Sequence, residues 1–253
     1  QGHPVYTRRF AASKDETLHV IRMVGRLALM AGLLAGLLLS FALPAAAQAP
    51  AWQSARAVAI ATAAATTNYA VVRTTVVDAA GNIYLAGSFS NTVVLGNTTL
   101  NSLGGSDVFM AKFNPASNQF VWAQRAGGTR NDYANALAVS GSSVYVAGEF
   151  GSPTAGFGST TLTNAGQFDG QDVFVSKLSD AGSFVWAQRA GGTVGDIAYA
   201  LAVSGTSVYV AGYFDSPTAS FGPTTLTNAD PAGTSDIFVA KLSDAGSTGS
   251  FVW

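Results

Sequence analysis

The chain has 253 residues, of which 48% are hydrophobic and 11% charged, and its formal net charge is −1. A chain of this length can bury a substantial core as one domain. It contains no cysteine, which excludes a disulfide framework, a thiol nucleophile and thiolate zinc sites. Both histidines, His3 and His19, precede an apolar N-terminal segment, so the rest of the chain lacks the imidazole of Ser-His-Asp catalysis and of common zinc or haem sites. We therefore expect no cofactor.

The N-terminal segment has the order of a secretory signal. Met23 and Arg26 begin a short basic region, the apolar run Leu27–Leu43 follows, and small residues come next. We predict a helical signal peptide at residues 23–47, membrane contact only during export, and a secreted or cell-surface protein. The alternative is an uncleaved anchor, but the 17-residue run is at the lower limit for spanning a bilayer. We expect residues 1–22 to be disordered or untranslated.

Residues 48–253 carry eight basic and twelve acidic side chains, a net charge of −4, and no cluster of Lys or Arg. Such a surface offers little to a phosphate backbone, which argues against a nucleic-acid partner.

Three short motifs recur in one order through this acidic part of the chain. The segment Phe120–Thr129 returns 64 residues later as Phe184–Thr193 and begins again at Phe251, and Ala51-Trp52-Gln53 is a degenerate copy. The other two motifs are Tyr-x-Ala-Gly, at Tyr84, Tyr145 and Tyr209, and Asp-x-Phe-x-x-Lys, at Asp107, Asp172 and Asp236. Three motifs with a common period indicate a repeat protein.

Short apolar or β-branched segments bounded by Gly, Ser, Asp or Asn predict four strands per repeat. They are Phe184–Gln188, Ala198–Val203, Ser207–Ala211 and Asp236–Leu242. The run Val144–Ala147 is apolar on both faces, which predicts a strand between two sheets. We also predict an inserted strand or hairpin at Phe157–Leu162 and at its copy Phe221–Leu226.

One four-stranded sheet per repeat of roughly 64 residues is typical of β-propeller blades. Repeats of a β-solenoid are usually shorter, and independent sandwich domains need about 100 residues each. We therefore predict an all-β fold with three propeller-like blades at residues 48–253. Closed propellers have about four to eight blades. Because the last motif breaks off at Trp253, we expect an incomplete propeller, truncated at its C-terminus.

The segment Asp78–Gly87, followed by the Asp-x-Phe-x-x-Lys and Gly-Gly-x-x-x-Asp motifs, resembles the SBBP (seven-bladed β-propeller) repeats of secreted and surface bacterial proteins. The resemblance covers about residues 51–253 and implies export without a defined catalytic activity. The second and third units depart from it, because Ser140–Ser143 and Ser204–Ser207 replace the Asp-x-x-Gly-Asn turn. A role of Asp78 is therefore not shared by all units.

The repeated side chains are predicted to serve the fold. Carboxylates at equivalent positions in successive units, Asp132 and Asp196 among them, favour capping of turns and strand ends. Calcium binding is the alternative, since carboxylates suit a hard cation. We expect the turn Asp180-Ala181-Gly182 to be a simple hairpin turn rather than an Asp-box. The repeated Trp122, Trp186 and Trp253 are expected to pack between strands rather than stack on sugars, and the strand-end Lys112, Lys177 and Lys241 to be solvated.

A binding site is expected where the repeats differ. Directly after the Tyr-x-Ala-Gly motif stand Ser88, Glu149 and Tyr213, which are equivalent in position and chemically unlike. We predict that they form a binding rim on a noncatalytic scaffold for an extracellular protein or glycan. One alternative is a carboxylate-dependent glycoside hydrolase or lyase, which would need two adjacent acids, one with a raised pKa. Another is a structural spacer that displays a further domain.

Overall fold

The computed structural model of the protein describes residues 69–166, 170–230 and 234–253. The predicted upstream segment, the signal peptide and residues 48–68, which include Trp52, lie outside the described residues. The described part of the chain is all-β, as predicted, and contains no helix that is long and apolar enough to cross a membrane.

The described residues form sixteen β-strands. In chain order they are β1 (Ala70–Val77), β2 (Ile83–Leu95), β3 (Thr98–Asn114), β4 (Gln119–Gly128), β5 (Asp132–Ser140), β6 (Ser143–Phe150), β7 (Thr154–Phe157), β8 (Thr160–Thr163), β9 (Asp172–Ser179), β10 (Phe184–Ala190), β11 (Asp196–Ser204), β12 (Ser207–Phe214), β13 (Thr218–Phe221), β14 (Thr224–Thr227), β15 (Asp236–Asp244) and β16 (Gly249–Phe251).

Three antiparallel sheets contain most of these strands. The first sheet has the order β1-β2-β3-β4 and is continued beyond β4 by β7 and β8, the second has the order β5-β6-β9-β10 and the third β11-β12-β15-β16. The four predicted strand segments of one repeat lie in β10, β11, β12 and β15. Pairing registers also agree between sheets: Asp132 faces Phe150 in the second sheet, and 64 residues later Asp196 faces Phe214 in the third.

The predicted inserted hairpins are present as β7–β8 and β13–β14. Each one reaches back to the preceding sheet. The pairs Gly127–Gly156 and Gly128–Ala155 join β7 to β4 of the first sheet, and a bridge between Gly191 and Ser220 joins β13 to the chain just after β10. The hairpins therefore tie successive sheets together through backbone hydrogen bonds.

The first strand of each of the three large sheets is bulged at the same place. In β1 the register shifts between Val72 and Thr74, and the same shift skips Asn135 in β5 and Tyr199 in β11. The glycine of the Tyr-x-Ala-Gly motif lies opposite each bulge. A Cβ on Gly148 would come within 1.9 Å of the Tyr133 carbonyl oxygen, so no other residue fits without moving the backbone.

The core lies between the sheets. One cluster joins the first and second sheets through residues such as Met110 and Val146, and another joins the second and third through residues such as Val175 and Val210. A third cluster lies beneath the extended β2–β3 hairpin, where Leu95 packs near Phe109. The run Val144–Ala147 is buried on both faces, as its sequence predicted.

We expect Gly148→Ala to lower the free energy of unfolding by about 3 kcal/mol, because the new methyl group forces the β5 backbone away from β6. Urea denaturation measures this change. Gly156→Ala is the matched control: the nearest atom to its new Cβ is a carbonyl oxygen at 3.8 Å, so a change below about 1 kcal/mol is expected. Equal losses in the two variants would contradict the close approach at Gly148.

Candidate functional site

The first and second sheets are joined by a cluster that we call the first latch, formed by Tyr84, Lys112 and Trp122 around Asp180. The Lys112 Nζ lies 2.6 Å from Asp180 Oδ1, and the Tyr84 hydroxyl donates to the same carboxylate. The Trp122 indole N–H donates to the Asp180 carbonyl oxygen at 2.8 Å. Because the Lys112 hydrogen bond is the strongest influence on this carboxyl, it holds the pKa of Asp180 below its usual range.

The turn that carries Asp180 has little room beside the indole. Gly182 adopts a φ of +83°, and a Cβ there would come within 2.6 Å of the Trp122 ring. This turn therefore needs Asp180 for its carboxylate and Gly182 for the left-handed backbone that passes the indole. The simple hairpin turn predicted for this segment is present between β9 and β10.

A second latch joins the second and third sheets in the same way, with Tyr145, Lys177 and Trp186 around Asp244. Lys177 Nζ and the Tyr145 hydroxyl each lie 2.6 Å from Asp244 Oδ2, and the Trp186 indole donates to Oδ1 at 3.1 Å. Burial raises the pKa of Asp244, but the hydrogen bonds from Lys177, Tyr145 and Trp186 outweigh it and hold that pKa below its usual range.

The prediction of solvated strand-end lysines is wrong for Lys112 and Lys177, which are buried. Their charges are matched by aspartates on the next sheet, which the sequence places 68 and 67 residues further along. Trp122 and Trp186 are also buried, so their rings pack between sheets, as predicted, and present no free face to a sugar.

A pair of buried carboxylates lies at the junction of the first and second sheets. Asp107 accepts a hydrogen bond from Arg125 at 2.6 Å, and Asp132 accepts from the Gly128 amide and the Ser152 hydroxyl, each at 2.7 Å. Both carboxylates flank Gly127, whose Cβ would lie 2.7 Å from one and 3.0 Å from the other. Burial raises the pKa of Asp132 to about 6.

The same pair recurs one sheet later. Asp172 accepts from Arg189 at 2.7 Å, and Asp196 accepts from the Gly192 amide at 2.6 Å and from the Ser216 hydroxyl at 2.8 Å. Burial also raises the pKa of Asp196 to about 6. These bonds to turns and strand ends match the predicted capping role. No group of three or more His, Cys, Asp or Glu side chains in the described ranges is arranged to hold a metal ion.

The residues skipped at the three bulges form a contiguous set, Arg73, Asn135 and Tyr199, which we call the bulge row. Arg73 Nη1 lies 3.4 Å from Asn135 Oδ1, and Asn135 Nδ2 donates to the carbonyl oxygen of Ala198, the neighbour of Tyr199, at 3.0 Å. Arg73 and Tyr199 are exposed, and Asn135 is half-buried. The row thus presents a cation, an amide and an aromatic ring side by side.

Glu149 lies directly beneath this row. It accepts a hydrogen bond from Asn135 Nδ2, and burial raises its pKa to about 7. Burial raises the pKa of Tyr213, and the nearby Tyr199, Asp215 and Glu149 raise it further. The Tyr213 ring lies 5.8 Å from that of Tyr199. Two of the three predicted rim residues therefore adjoin the bulge row.

The third predicted rim residue, Ser88, is fully buried, and its hydroxyl has no hydrogen-bond partner among the described residues. Arg73, Asn135 and Tyr199 were missed in the sequence. Comparing the three units position by position would have found them, because they are equivalent and chemically unlike, but only the pairing register shows that a bulge turns them to one side.

No protein-family model and no curated protein matches this chain.

We expect Asp244→Asn to lower the free energy of unfolding by about 3 kcal/mol at pH 7, because it leaves the buried Lys177 charge without its partner. Asp180→Asn is the matched variant and should cost less, because the Asp180 side chain is 47% exposed against 8% for Asp244. Chemical denaturation of both variants measures the difference. A larger loss for Asp180→Asn would contradict this order.

The latch also predicts a pH dependence. Because the folded pKa of Asp244 lies below its unfolded value of 3.8, its contribution is complete above that value and is lost as the pH falls through the folded pKa. The stability difference between the wild type and Asp244→Asn should therefore shrink below about pH 4. A difference that stays constant from pH 7 to pH 2 would rule out an ionised Asp244 in the latch.

The pH dependence of stability expected from Glu149 has the opposite sign. Its folded pKa of about 7 lies above the model value of 4.5, so the folded state binds the proton more tightly and stability falls as the pH rises between these values. We expect Glu149→Gln to remove this decline. At pH 8 the free energy of unfolding of the variant should exceed that of the wild type by up to about 3 kcal/mol. Denaturation curves at pH 4 to 8 test this, and parallel curves would show that Glu149 titrates normally.

Proposed function

We propose that the protein is an exported, noncatalytic scaffold of β-propeller-like repeats, similar to SBBP repeats, which binds an extracellular protein or glycan through the bulge row. The observation that carries this proposal is the juxtaposition of Arg73, Asn135 and Tyr199 on the first strands of three successive sheets. These residues occupy one structural position and differ in chemistry, whereas the residues that join the sheets are repeated.

The sheet arrangement supports a propeller-like interpretation. Each of the three sheets contains four antiparallel strands paired in chain order, and core clusters join the first sheet to the second and the second to the third. Their first strands, β1, β5 and β11, lie next to one another, as the innermost strands of propeller blades do. Side chains from these strands therefore converge on one binding face.

The side chains at the bulge row suit a glycan or a polar protein surface. An exposed tyrosine ring offers a flat apolar face, and a guanidinium with a neighbouring amide supplies hydrogen-bond donors in fixed directions. Arg73 also lies over the Tyr133 ring, with its Cζ 5.0 Å from the ring centre, which restrains the guanidinium before any ligand binds.

The enzyme alternative has one observation in its favour. Asp107 and Asp132 flank Gly127, and the pKa of Asp132 is raised to about 6, as a carboxylate pair with a general acid requires. Both side chains are fully buried, however, and both are already hydrogen-bonded within the protein, Asp107 to Arg125 and Asp132 to Ser152 and the Gly128 amide. The same arrangement at Asp172 and Asp196 favours a structural role for each pair.

A reducing-end assay on a polysaccharide panel separates the two functions. If the protein is a noncatalytic scaffold, we expect the purified protein to release no reducing ends. Release that is abolished by Asp132→Asn but retained in Asp196→Asn would establish a hydrolase or lyase at one junction and refute the noncatalytic proposal.

Ligand binding is tested with a glycan array and with extracellular protein fractions, followed by titration of any ligand found. We expect Arg73→Ala and Tyr199→Ala each to weaken its binding at least tenfold, about 1.4 kcal/mol. Thr75→Ala is the control, because Thr75 is an exposed residue on the same strand as Arg73, and this variant should bind like the wild type. Unchanged binding in both bulge-row variants would refute this site, and a protein without any ligand would favour the spacer alternative.

Export is tested on the full chain with its leader. We expect a bacterial host to release a mature form whose N-terminal residue is Gln48, since cleavage after Ala47 leaves small residues at the two specificity positions. An N-terminus upstream of residue 23 would contradict the signal peptide.

A further inference from the structure

The outer face of the third sheet repeats, residue by residue, the two faces that are buried between sheets. On the first sheet this face consists of Tyr84, Ala86, Val108, Met110, Lys112 and Trp122, on the second of Tyr145, Ala147, Val173, Val175, Lys177 and Trp186, and on the third of Tyr209, Ala211, Ile237, Val239, Lys241 and Trp253. We call this third set the open face.

The open face is apolar, and none of the described residues covers it. Ile237 is 85% exposed, whereas Val108 and Val173 at the same position are fully buried. Trp253 is 47% exposed, against 8% for Trp122. A contiguous apolar surface of this kind is unusual on a soluble protein unless another element covers it.

The open face also contains a third latch without its acid. Lys241 lies over the Tyr209 ring, with its Nζ 5.9 Å from the ring centre, and the Tyr209 and Trp253 rings are 6.4 Å apart. Lys177 has the same relation to Tyr145, at 5.8 Å, and Tyr145 to Trp186, at 6.1 Å. In the second latch Asp244 completes the cluster, but no described residue supplies a carboxylate to Lys241.

We propose that the open face docks a further four-stranded sheet of this same design, on a polypeptide whose hairpin turn carries Asp-x-Gly. The carboxylate would accept from Lys241 and Tyr209 and lie beside the Trp253 indole, and the glycine would adopt the positive φ that Gly182 and Gly246 have in the two existing turns. The apolar side chains Ile237 and Val239 would be covered, as Val173 and Val175 are by the third sheet. Docking at this face does not require a ligand at the bulge row.

A second copy of this chain is a poor occupant. The two Asp-Ala-Gly turns of each copy are already bound in their own latches. The corresponding turn of the first sheet, Asn114–Ser117, carries no carboxylate, and its Asn114 Oδ1 accepts from the Ser117 amide at 3.0 Å. Docking of this turn would leave the Lys241 charge without a carboxylate, and burial of that charge would then be unfavourable.

The test adds a docking sheet of known competence. Residues 187–253 are appended directly after Trp253, so that a second copy of the third sheet follows the first with the spacing found after Trp186. The added copy is identical to the unit that already docks on the second sheet. A failure to dock can therefore be attributed to the open face.

We expect the extended protein to unfold in one cooperative transition and the added copy to resist proteolysis. In the extended protein, a double-mutant cycle combines Lys241→Met with an Asp→Asn change in the added turn. We expect these two changes to show a coupling of at least tenfold in the unfolding equilibrium constant. The Lys177→Met and Asp244→Asn cycle in the original chain gives the reference value. In the original chain, Lys241→Met should change that constant less than threefold.

Ile237→Asp provides a second readout that does not depend on the latch. It should be tolerated in the original chain, where Ile237 is exposed, and should release the added copy to protease in the extended chain. An added copy that is digested although the original sheets stay folded would overturn the proposal, as would the absence of coupling. Dimerisation of the original chain at micromolar concentration that Lys241→Met abolishes would identify a second copy as the occupant and would overturn it too.

Discussion

The contact on which the arrangement of sheets depends is an aspartate of a hairpin turn bound by a lysine, a tyrosine and a tryptophan of the preceding sheet; the tryptophan donates to the Asp180 backbone carbonyl in the first latch and to the Asp244 carboxylate in the second. Apolar faces alone hold two sheets together without fixing how far one slides along the other, because burial is not directional. The bonds of Asp180 and Asp244 to three donors are directional and short. They favour one alignment of each sheet pair, and the inserted hairpins reinforce it through backbone pairing.

A fixed alignment of sheets gives the bulge row its geometry. The bulges are local features of β1, β5 and β11, enforced by the close approach of the motif glycines, but their neighbourhood depends on how the sheets stack. The hydrogen bond from Arg73 to Asn135 crosses from the first sheet to the second, and that from Asn135 to Ala198 crosses from the second to the third. A shift of one residue in either sheet pair would separate these groups by about 3.3 Å.

The sequence alone was sufficient to predict the strands, the inserted hairpins and the packing role of Trp122 and Trp186, because each depends on local patterns that recur. The fate of the lysines was not predictable in the same way. Lys112 lies two residues before the end of β3, close to half-buried Asn114 and exposed Pro115, and nothing in its neighbourhood in the sequence indicates Asp180. Its burial follows from a contact between sheets, and sequence periodicity carries no information about such pairs. The bulge row was missed for a different reason: its residues differ visibly between the units, but only the pairing register shows the bulge at which they lie.

The position shared by Ser88, Glu149 and Tyr213 shows how one site in a repeat takes on different properties from its surroundings. Glu149 is covered by the third sheet, so its carboxyl is desolvated and its pKa rises. Tyr213 has no sheet over it among the described residues and keeps a half-buried ring beside Tyr199. Ser88 is the smallest of the three and lies buried with an unpaired hydroxyl, an energetic penalty that the surrounding packing offsets. Chemistry at this position therefore depends on whether a neighbouring sheet covers it, and covering the open face would change the environment of Tyr213 in the same direction as that of Glu149.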